Sequence, residues 1–383
     1  MDRFVKTPRS TRAGAAALAG ALVLVLAGCG SDNPLEGRPG VPPGVEIDTS
    51  GPDVVGTFAG AGASSIEAAM DAWRAQFQGA HLSATVNYDP IGSGGGRRQL
   101  IAGGAVFAGS DQVLTAAEID ESRAVCGPDG AIDLPIYVSP IAVTFNLPGI
   151  DVVNLSPDNL ARIFTGDLTR WDDPALVADN PGVDLPDLGI TPVHRSDDSG
   201  TTANFVDYLA ATAPDVWTWP VSGQWPLTGG DAAQGTSGVI NAVQQTVGAV
   251  TYADASRVGD LGTAAIRVGG EWVGVSAEGS AIAVDASPLY EGRHEHDLAI
   301  AVDRTTDVPG AYPLVLVSFA MVCMQYESEA DANFVRQFIG FVVSEAGQQV
   351  AAHVAGSAPL SARLADDVHA SLAAITSVEG AAQ

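Results

Sequence analysis

Four segments of this 383-residue chain carry residue types that could grip a small anion. Gly60-Ala61-Gly62-Ala63-Ser64-Ser65 runs into Ile66, Ala69, Met70, Trp73 and Phe77, which recur at helical spacing. Gly92-Ser93-Gly94-Gly95-Gly96 precedes Arg97-Arg98-Gln99-Leu100-Ile101. Arg195-Ser196-Asp197-Asp198-Ser199-Gly200-Thr201-Thr202 precedes a helical stretch with Phe205 and Leu209. Each of these three is a small-residue turn opening a helix, where unpaired backbone N–H groups and the positive end of the helix dipole lie together. Glycine admits close approach, and serine and threonine add hydroxyl donors. Singly, such turns are ordinary. Ser64 with Glu67 three residues on reads as a capping box, and Arg97 and Arg98 read as solvated helix charges. Two charged residues give the combination its meaning. Arg195, four residues before Ser199, offers a bidentate contact to an oxyanion. Asp111, in the fourth segment Phe107-Ala108-Gly109-Ser110-Asp111, follows an apolar stretch and can point into the same cleft.

Other chemistries fit less well. The second turn lacks the Gly-Lys-Ser/Thr of a nucleotide-binding phosphate loop. His294-Glu295-His296 places two histidines two apart in a loop, a weak metal pattern, and no metal site is expected. Trp217, Trp219 and Trp225 lie in an extended loop before Gly229-Gly230 and read as cover for the body rather than a sugar platform. Ser199 beside Asp197 and His194 invites a hydrolase reading, but no Gly-x-Ser-x-Gly elbow is present and His194 has no evident partner. No cofactor is implied.

The elements that must hold these turns alternate. Val54 to Phe58, Leu82 to Tyr88, Ala249 to Tyr252 and Leu314 to Met324 read as strands, as does Ile136 to Asn146, broken by Pro140. Leu155 to Phe164, Thr202 to Leu209, Val239 to Val247 and Ala330 to Val343 read as helices, the first with Pro157 near its start. Such alternation predicts α/β lobes with largely parallel sheets.

Composition narrows the partners. With 45 acidic against 18 basic residues the net charge is −27, and Lys6 is the only lysine, so no basic footprint for nucleic acid exists. A local field can still oppose the global one at a small-anion pocket. Arg3, Lys6, Arg9 and Arg12 form a basic start, followed by an apolar run of 15 residues, Ala13 to Ala27. That is short for a membrane span of about 20 residues and suits a signal-peptide core. It ends in Leu26-Ala27-Gly28-Cys29, which resembles the lipobox of bacterial lipoproteins. The likeness implies residues 1–28 as a signal peptide, cleavage before Cys29 and a lipid on its sulfur. Ten of the 23 residues from Gly30 to Pro52 are Gly or Pro, so 29–52 reads as the lipidated cysteine and a flexible tether. Export to an oxidising compartment then predicts one disulfide, Cys126 to Cys323.

The motifs in order resemble the phosphate-contacting segments of PstS-type phosphate-binding proteins. Ala61 to Ser65, Ile91 to Gly96, Ala108 to Asp111 and Arg195 to Thr201 carry the likeness. Ile163-Phe164-Thr165-Gly166-Asp167-Leu168-Thr169-Arg170-Trp171-Asp172-Asp173 and Gly248-Ala249-Val250-Thr251-Tyr252 extend it, from about Gly56 to about Ser361. The resemblance implies a type II periplasmic-binding-protein fold, two α/β lobes with a two-strand hinge and an interlobe ligand cleft. Lobe one would hold 53–143 plus 318–383, and lobe two 144–317. It further implies anion contacts from Ser64, Ser65, Ser93, Asp111, Arg195, Ser199, Gly200 and Thr201, with Asp197 orienting Arg195. Ser65 stands where many relatives carry a bulky apolar residue whose N–H makes the contact, so the N–H contact is kept and the hydroxyl has no inherited role.

What the resemblance implies is an extracytoplasmic, lipid-anchored receptor with a monomeric body, passing inorganic phosphate to an ABC-type permease. Asp111 then has a reason to face an anion. Hydrogenphosphate carries a proton that the carboxylate can accept; sulfate at neutral pH carries none and would meet an uncompensated carboxylate. The rival readings are a receptor for another tetrahedral oxyanion such as sulfate, and a secreted phosphatase-like enzyme. The second needs a nucleophile or metal cluster, and a chromogenic phosphate ester would separate it from a receptor.

Overall fold

The computed structural model describes Ile47 and residues 50–381. The basic start, the apolar run, Cys29 and most of the tether lie outside the described residues. Strand and helix alternate first as β1 (Gly56–Gly62), α1 (Glu67–Ala80), β2 (Ala84–Asp89), α2 (Ser93–Ile101), β3 (Phe107–Ser110) and α3 (Ala116–Cys126). There follow β4 (Ala131–Phe145), β5 (Val152–Leu155), α4 (Pro157–Thr165), α5 (Pro174–Asp179), β6 (Thr191–Arg195) and α6 (Gly200–Thr212). Next come β7 (Asp231–Ala233), α7 (Gly235–Gln245), β8 (Ala249–Asp254), β9 (Gly262–Val268), β10 (Glu271–Val273) and α8 (Ala277–Asp285). After the largely irregular stretch 286–314, β11 (Val315–Cys323), α9 (Glu329–Val343), α10 (Glu345–Ala355) and α11 (Ala362–Ala373) return to the first strands.

β1 lies between β2 and β3, parallel to both. Parallel neighbours need crossovers, which α1 and α2 supply. The C-terminal ends of all three strands therefore open on one edge of the sheet, and the turns after them meet there. α1 forms because Ala69, Met70, Trp73 and Phe77 share one buried face. Phe77 and Phe58 pack on Phe338 and Phe334 of α9, with Phe58 stacked on Phe334 at 4.0 Å. The Trp73 Nε1–H donates to the Gly347 carbonyl of α10 at 2.7 Å, so a large buried ring keeps its polar atom satisfied.

β4 joins this half to the next. It is buried along all 15 residues. Residues 131–140 pair antiparallel with β11, and residues 141–145 pair antiparallel with β8. The described strand order is β2-β1-β3-β11-β4-β8-β6-β7, with β9 beside the far end of β4. Two expectations change here. The sheet is mixed, because β11, β8 and β9 all run antiparallel to β4. Pro140 does not break the strand either. It stands opposite Val315 just where the partner changes, and Ile141 takes up the next donor position toward the Leu314 carbonyl.

The second half has its own aromatic core. Phe205 of α6 stacks on Tyr252 of β8 at 4.2 Å and meets Phe164 of α4 edge-on at 4.8 Å. Trp217 is buried there and Trp219 and Trp225 pack against the cluster, as covering residues should. Cys126 and Cys323 form the expected disulfide, S–S 2.05 Å, linking the end of α3 to the end of β11 across 197 residues of sequence. Closing so long a loop restricts the unfolded chain by roughly 5 kcal/mol on the chain-entropy model.

Candidate functional site

Strand geometry brings the small-residue turns together, and burial makes their polar atoms find one another. Asp111, one residue past β3, is 4% exposed. Its carboxylate accepts from Ser65 Oγ at 2.8 Å to each oxygen, from Ser318 Oγ at 2.7 Å on Oδ1, and from Thr201 Oγ1 at 3.2 Å on Oδ2. Its N–H donates to Ser93 Oγ at 3.1 Å, and its carbonyl accepts from Asn204 Nδ2 at 2.6 Å. Burial raises the Asp111 carboxyl above its ordinary range, opposed by the hydroxyls of Ser318 and Ser65, the charge of Arg195 and the Thr201 hydroxyl.

Arg195 ends β6 at 3% exposure. Its Nε donates to Asp197 Oδ1 at 2.7 Å and its Nη2 to Asp197 Oδ2. Burial alone would raise the Asp197 carboxyl, but the hydrogen bonds and charge of Arg195, with the Gly235 N–H at 3.0 Å, hold it below its ordinary value. Asp197 thus holds Nε and Nη2 of the guanidinium and leaves Nη1 with no protein acceptor within hydrogen-bond distance among the described residues.

The helix starts supply the rest. Ser93 is the first residue of α2, and Gly92 before it takes φ +89°, a conformation that favours glycine. Ser199 caps α6, accepting the Thr202 N–H at 3.2 Å. Gly200 has no room for a side chain: a Cβ there would lie 2.4 Å from Ser93 Oγ and 2.7 Å from the Asp111 Cβ. Close approach of the two halves therefore requires glycine at this point.

Asp111 of the first half is thus bonded to Ser65 and Ser93 of its own half and to Thr201 of the second, Gly200 lies against Ser93 and Asp111, and Ser64 meets Thr236. Ser64 corrects an expectation, because the capping box does not form. α1 begins at Glu67 with Ile66 as its uncapped N-cap, and the Ser64 hydroxyl instead accepts the Thr236 N–H at 3.1 Å. Arg97 also departs from expectation. It is 7% exposed, donating to Glu118 at 2.8 Å and to Ser110 at 3.3 Å, since it lies on the face of α2 that packs on α3 and β3. Arg98 is exposed as read, but bridges the halves to Asp198 at 2.9 Å.

Three residues at the site were missed. Ser318 is a lone hydroxyl in the apolar run Val315-Leu316-Val317-Ser318-Phe319-Ala320, itself a signal that a buried strand holds a polar partner. Thr236 follows Gly235 at a further small-residue helix start, Gln234-Gly235-Thr236-Ser237. Asn204 points from the first turns of α6 to the Asp111 and Gly200 carbonyls. His194 Nδ1 meets the Arg195 carbonyl and its ring stacks on Trp225, away from Ser199. Among the described residues no group of three His, Cys, Asp or Glu side chains could hold a metal, His294 and His296 included.

Two α/β halves joined through a shared central strand define a periplasmic-binding-protein fold. Residues 48–346 match the family model of the PBP superfamily domain. Phosphate-binding protein PstS 3 of Mycobacterium leprae is 31% identical over 322 residues, covering 82% of this chain and 86% of that protein. Phosphate-binding protein PstS of Xylella fastidiosa is 32% identical over 290 residues, covering 73% of this chain and 76% of that one. A solved structure of a high affinity periplasmic phosphate-binding protein (PfluDING), bound with phosphate, superposes with a TM-score of 0.67 over 82% of this chain and 93% of its own. At 21% identity that likeness carries the fold alone. The chain belongs, within the PBP superfamily, to the PstS family of phosphate-binding proteins.

Proposed function

We propose that this protein is an extracytoplasmic receptor that takes inorganic phosphate between its two halves and delivers it to an ABC-type permease. The observation that carries the reading is the pairing of opposites at one buried point. Arg195 and the helix starts at Ser93 and Ser199 suit an anion, while Asp111 suits only an anion that brings a proton. Ser64, Ser65, Ser93, Asp111, Arg195, Ser199, Gly200 and Thr201 are the contacts we assign to it. Sulfate at neutral pH would leave Asp111 facing a bare oxyanion in a buried site, a cost of several kcal/mol on the scale of unpaired buried groups. PstS relatives of similar length support the reading.

The lobes we assign are 53–143 plus 318–383 and 144–317. The change of partner along β4 at Pro140 and Ile141 supports a hinge there. Bonds that cross between the halves, such as Gly94 N–H to the Asp198 carbonyl at 3.1 Å, support a closed form that ligand stabilises and a permease can recognise. Cleavage before Cys29 and its lipidation would hold the body at the outer face of the cytoplasmic membrane, with 29–52 as tether. The test is calorimetric titration of the purified chain, stripped of co-purifying ligand, with phosphate and then sulfate at neutral pH. Phosphate binding at micromolar or tighter strength without sulfate heat is expected. Silence with phosphate would refute the reading.

A further inference from the structure

Three hydroxyls from three elements converge on the Asp111 carboxylate, and they are not equivalent. Thr201 belongs to the anion contacts, so its hydroxyl is shared with the ligand. Ser65 gives the anion its N–H, which leaves its hydroxyl for Asp111, 2.8 Å from each oxygen. Ser318 belongs to none of the anion-contacting turns. It is 0% exposed and sits where β11 shifts register against β4, between Ser318 and Phe319. A hydroxyl so placed costs free energy unless bonded, and its bond is to Asp111 Oδ1 at 2.7 Å.

We propose that Ser318 and Ser65 are positioning residues for Asp111: their hydroxyls fix the carboxylate's orientation and hold it as a proton acceptor, and so set the pH range over which the cleft prefers a protonated oxyanion. The inference rests on the phosphate reading above. An ionised Asp111 accepts the proton of hydrogenphosphate. A protonated Asp111 donates instead, and a bare oxyanion such as sulfate then becomes acceptable. Hydroxyl donors favour the ionised form, so removing one lets the carboxyl protonate at higher pH. Burial pushes in that same direction, and the serine hydroxyls oppose it.

The charged and titratable groups around Asp111 are accounted for separately. Arg195 of β6 acts through its charge and is held by Asp197, while Tyr88 of β2 and Asp254 at the end of β8 both feel the charge of Asp111. Arg97 of α2 reaches the neighbouring Ser110, and Arg304, paired with Asp207, reaches Asn204. Serine-to-alanine changes leave all of these in place.

The experiment compares the full chain with Ser318→Ala, Ser65→Ala and Ser318→Thr. Each is titrated with phosphate and with sulfate from about pH 4.5 to about pH 8, spanning the range a buried carboxyl can cover. The readout is the pH at which the phosphate-to-sulfate affinity ratio falls to half its neutral value. Each alanine variant should move that midpoint up by about one unit, a roughly tenfold change in the carboxyl's proton affinity. Ser318→Thr, which keeps the hydroxyl, should restore the parental midpoint. In an Asp111→Asn background Ser318→Ala should shift nothing. Parental midpoints in both alanine variants, or an equal loss at every pH, would overturn the inference. Should Ser318→Ala not fold, Ser65→Ala in its turn decides alone. A parent that takes no phosphate at neutral pH refutes the receptor reading itself; a parent that takes it while the variants keep its profile refutes this inference only.

Discussion

Asp111 directly follows β3 and Asp133 lies in β4, with β11 between these strands in the sheet, and both carboxylates are buried. Their surroundings differ. Asp133 accepts from Arg293 at 3.0 Å and from the Leu114 N–H at 3.1 Å, and the same guanidinium bridges Asp297 at 3.1 Å and donates to the Leu114 carbonyl. Burial and then the Asp297 charge push the Asp133 carboxyl up, while Arg293 draws it down. The Arg293 guanidinium is shared between two carboxylates and the Leu114 carbonyl, tying the stretch after α8 to β4. Among the described residues no cation is bonded to Asp111. Its donors are neutral hydroxyls, one of them also suited to a ligand, and the nearby Arg195 is braced by Asp197 with donor capacity to spare. A buried charge that serves the fold is closed off, and one that serves binding keeps an open side.

This contrast can be broken in graded ways. The largest effect is expected from Arg293→Ala, which strands Asp133 and Asp297 together. Loss of one partner of a buried ion pair costs roughly 3–5 kcal/mol, read as a fall in denaturant midpoint at unchanged slope. Asp111→Asn, by contrast, removes a carboxylate that burial disfavours, and should leave the protein no less stable at neutral pH. A loss at Asp111 matching that at Arg293 would erase the distinction. The smallest effect is expected from Arg98→Ala. Its side chain is 67% exposed and its bridge to Asp198 spans the halves. Such pairs are worth up to about 1 kcal/mol and fade with salt, so phosphate affinity should fall severalfold at most in dilute buffer and match the parent at high ionic strength.

Much of the site was legible in the sequence because it is built from local signals. Turns such as Gly92-Ser93-Gly94 and Ser199-Gly200-Thr201 announce helix starts through residue types that the backbone itself requires, and Asp197 lies two residues from the Arg195 it orients. What stayed hidden depends on contacts distant in sequence. The Ser64–Glu67 spacing fits a capping box, yet Ser64 is claimed by Thr236, 172 residues away. Ser318 meets Asp111 across 207 residues, and nothing local distinguishes its hydroxyl from one satisfied within the strand. Arg97 looks like a surface charge until α3 delivers Glu118 to cover it. In the fold, Pro140 argued locally for a break, and the long strand survives because its partner changes at that residue.

The central claim is that Asp111 reads a proton on the bound oxyanion. The most direct measurement is the phosphate-to-sulfate affinity ratio of the parent and of Asp111→Asn at neutral pH, by calorimetry on ligand-stripped protein. An asparagine can donate to a bare oxyanion, so the ratio should fall by on the order of 100-fold, through both weaker phosphate and newly measurable sulfate binding. A ratio unchanged by the substitution would contradict the account.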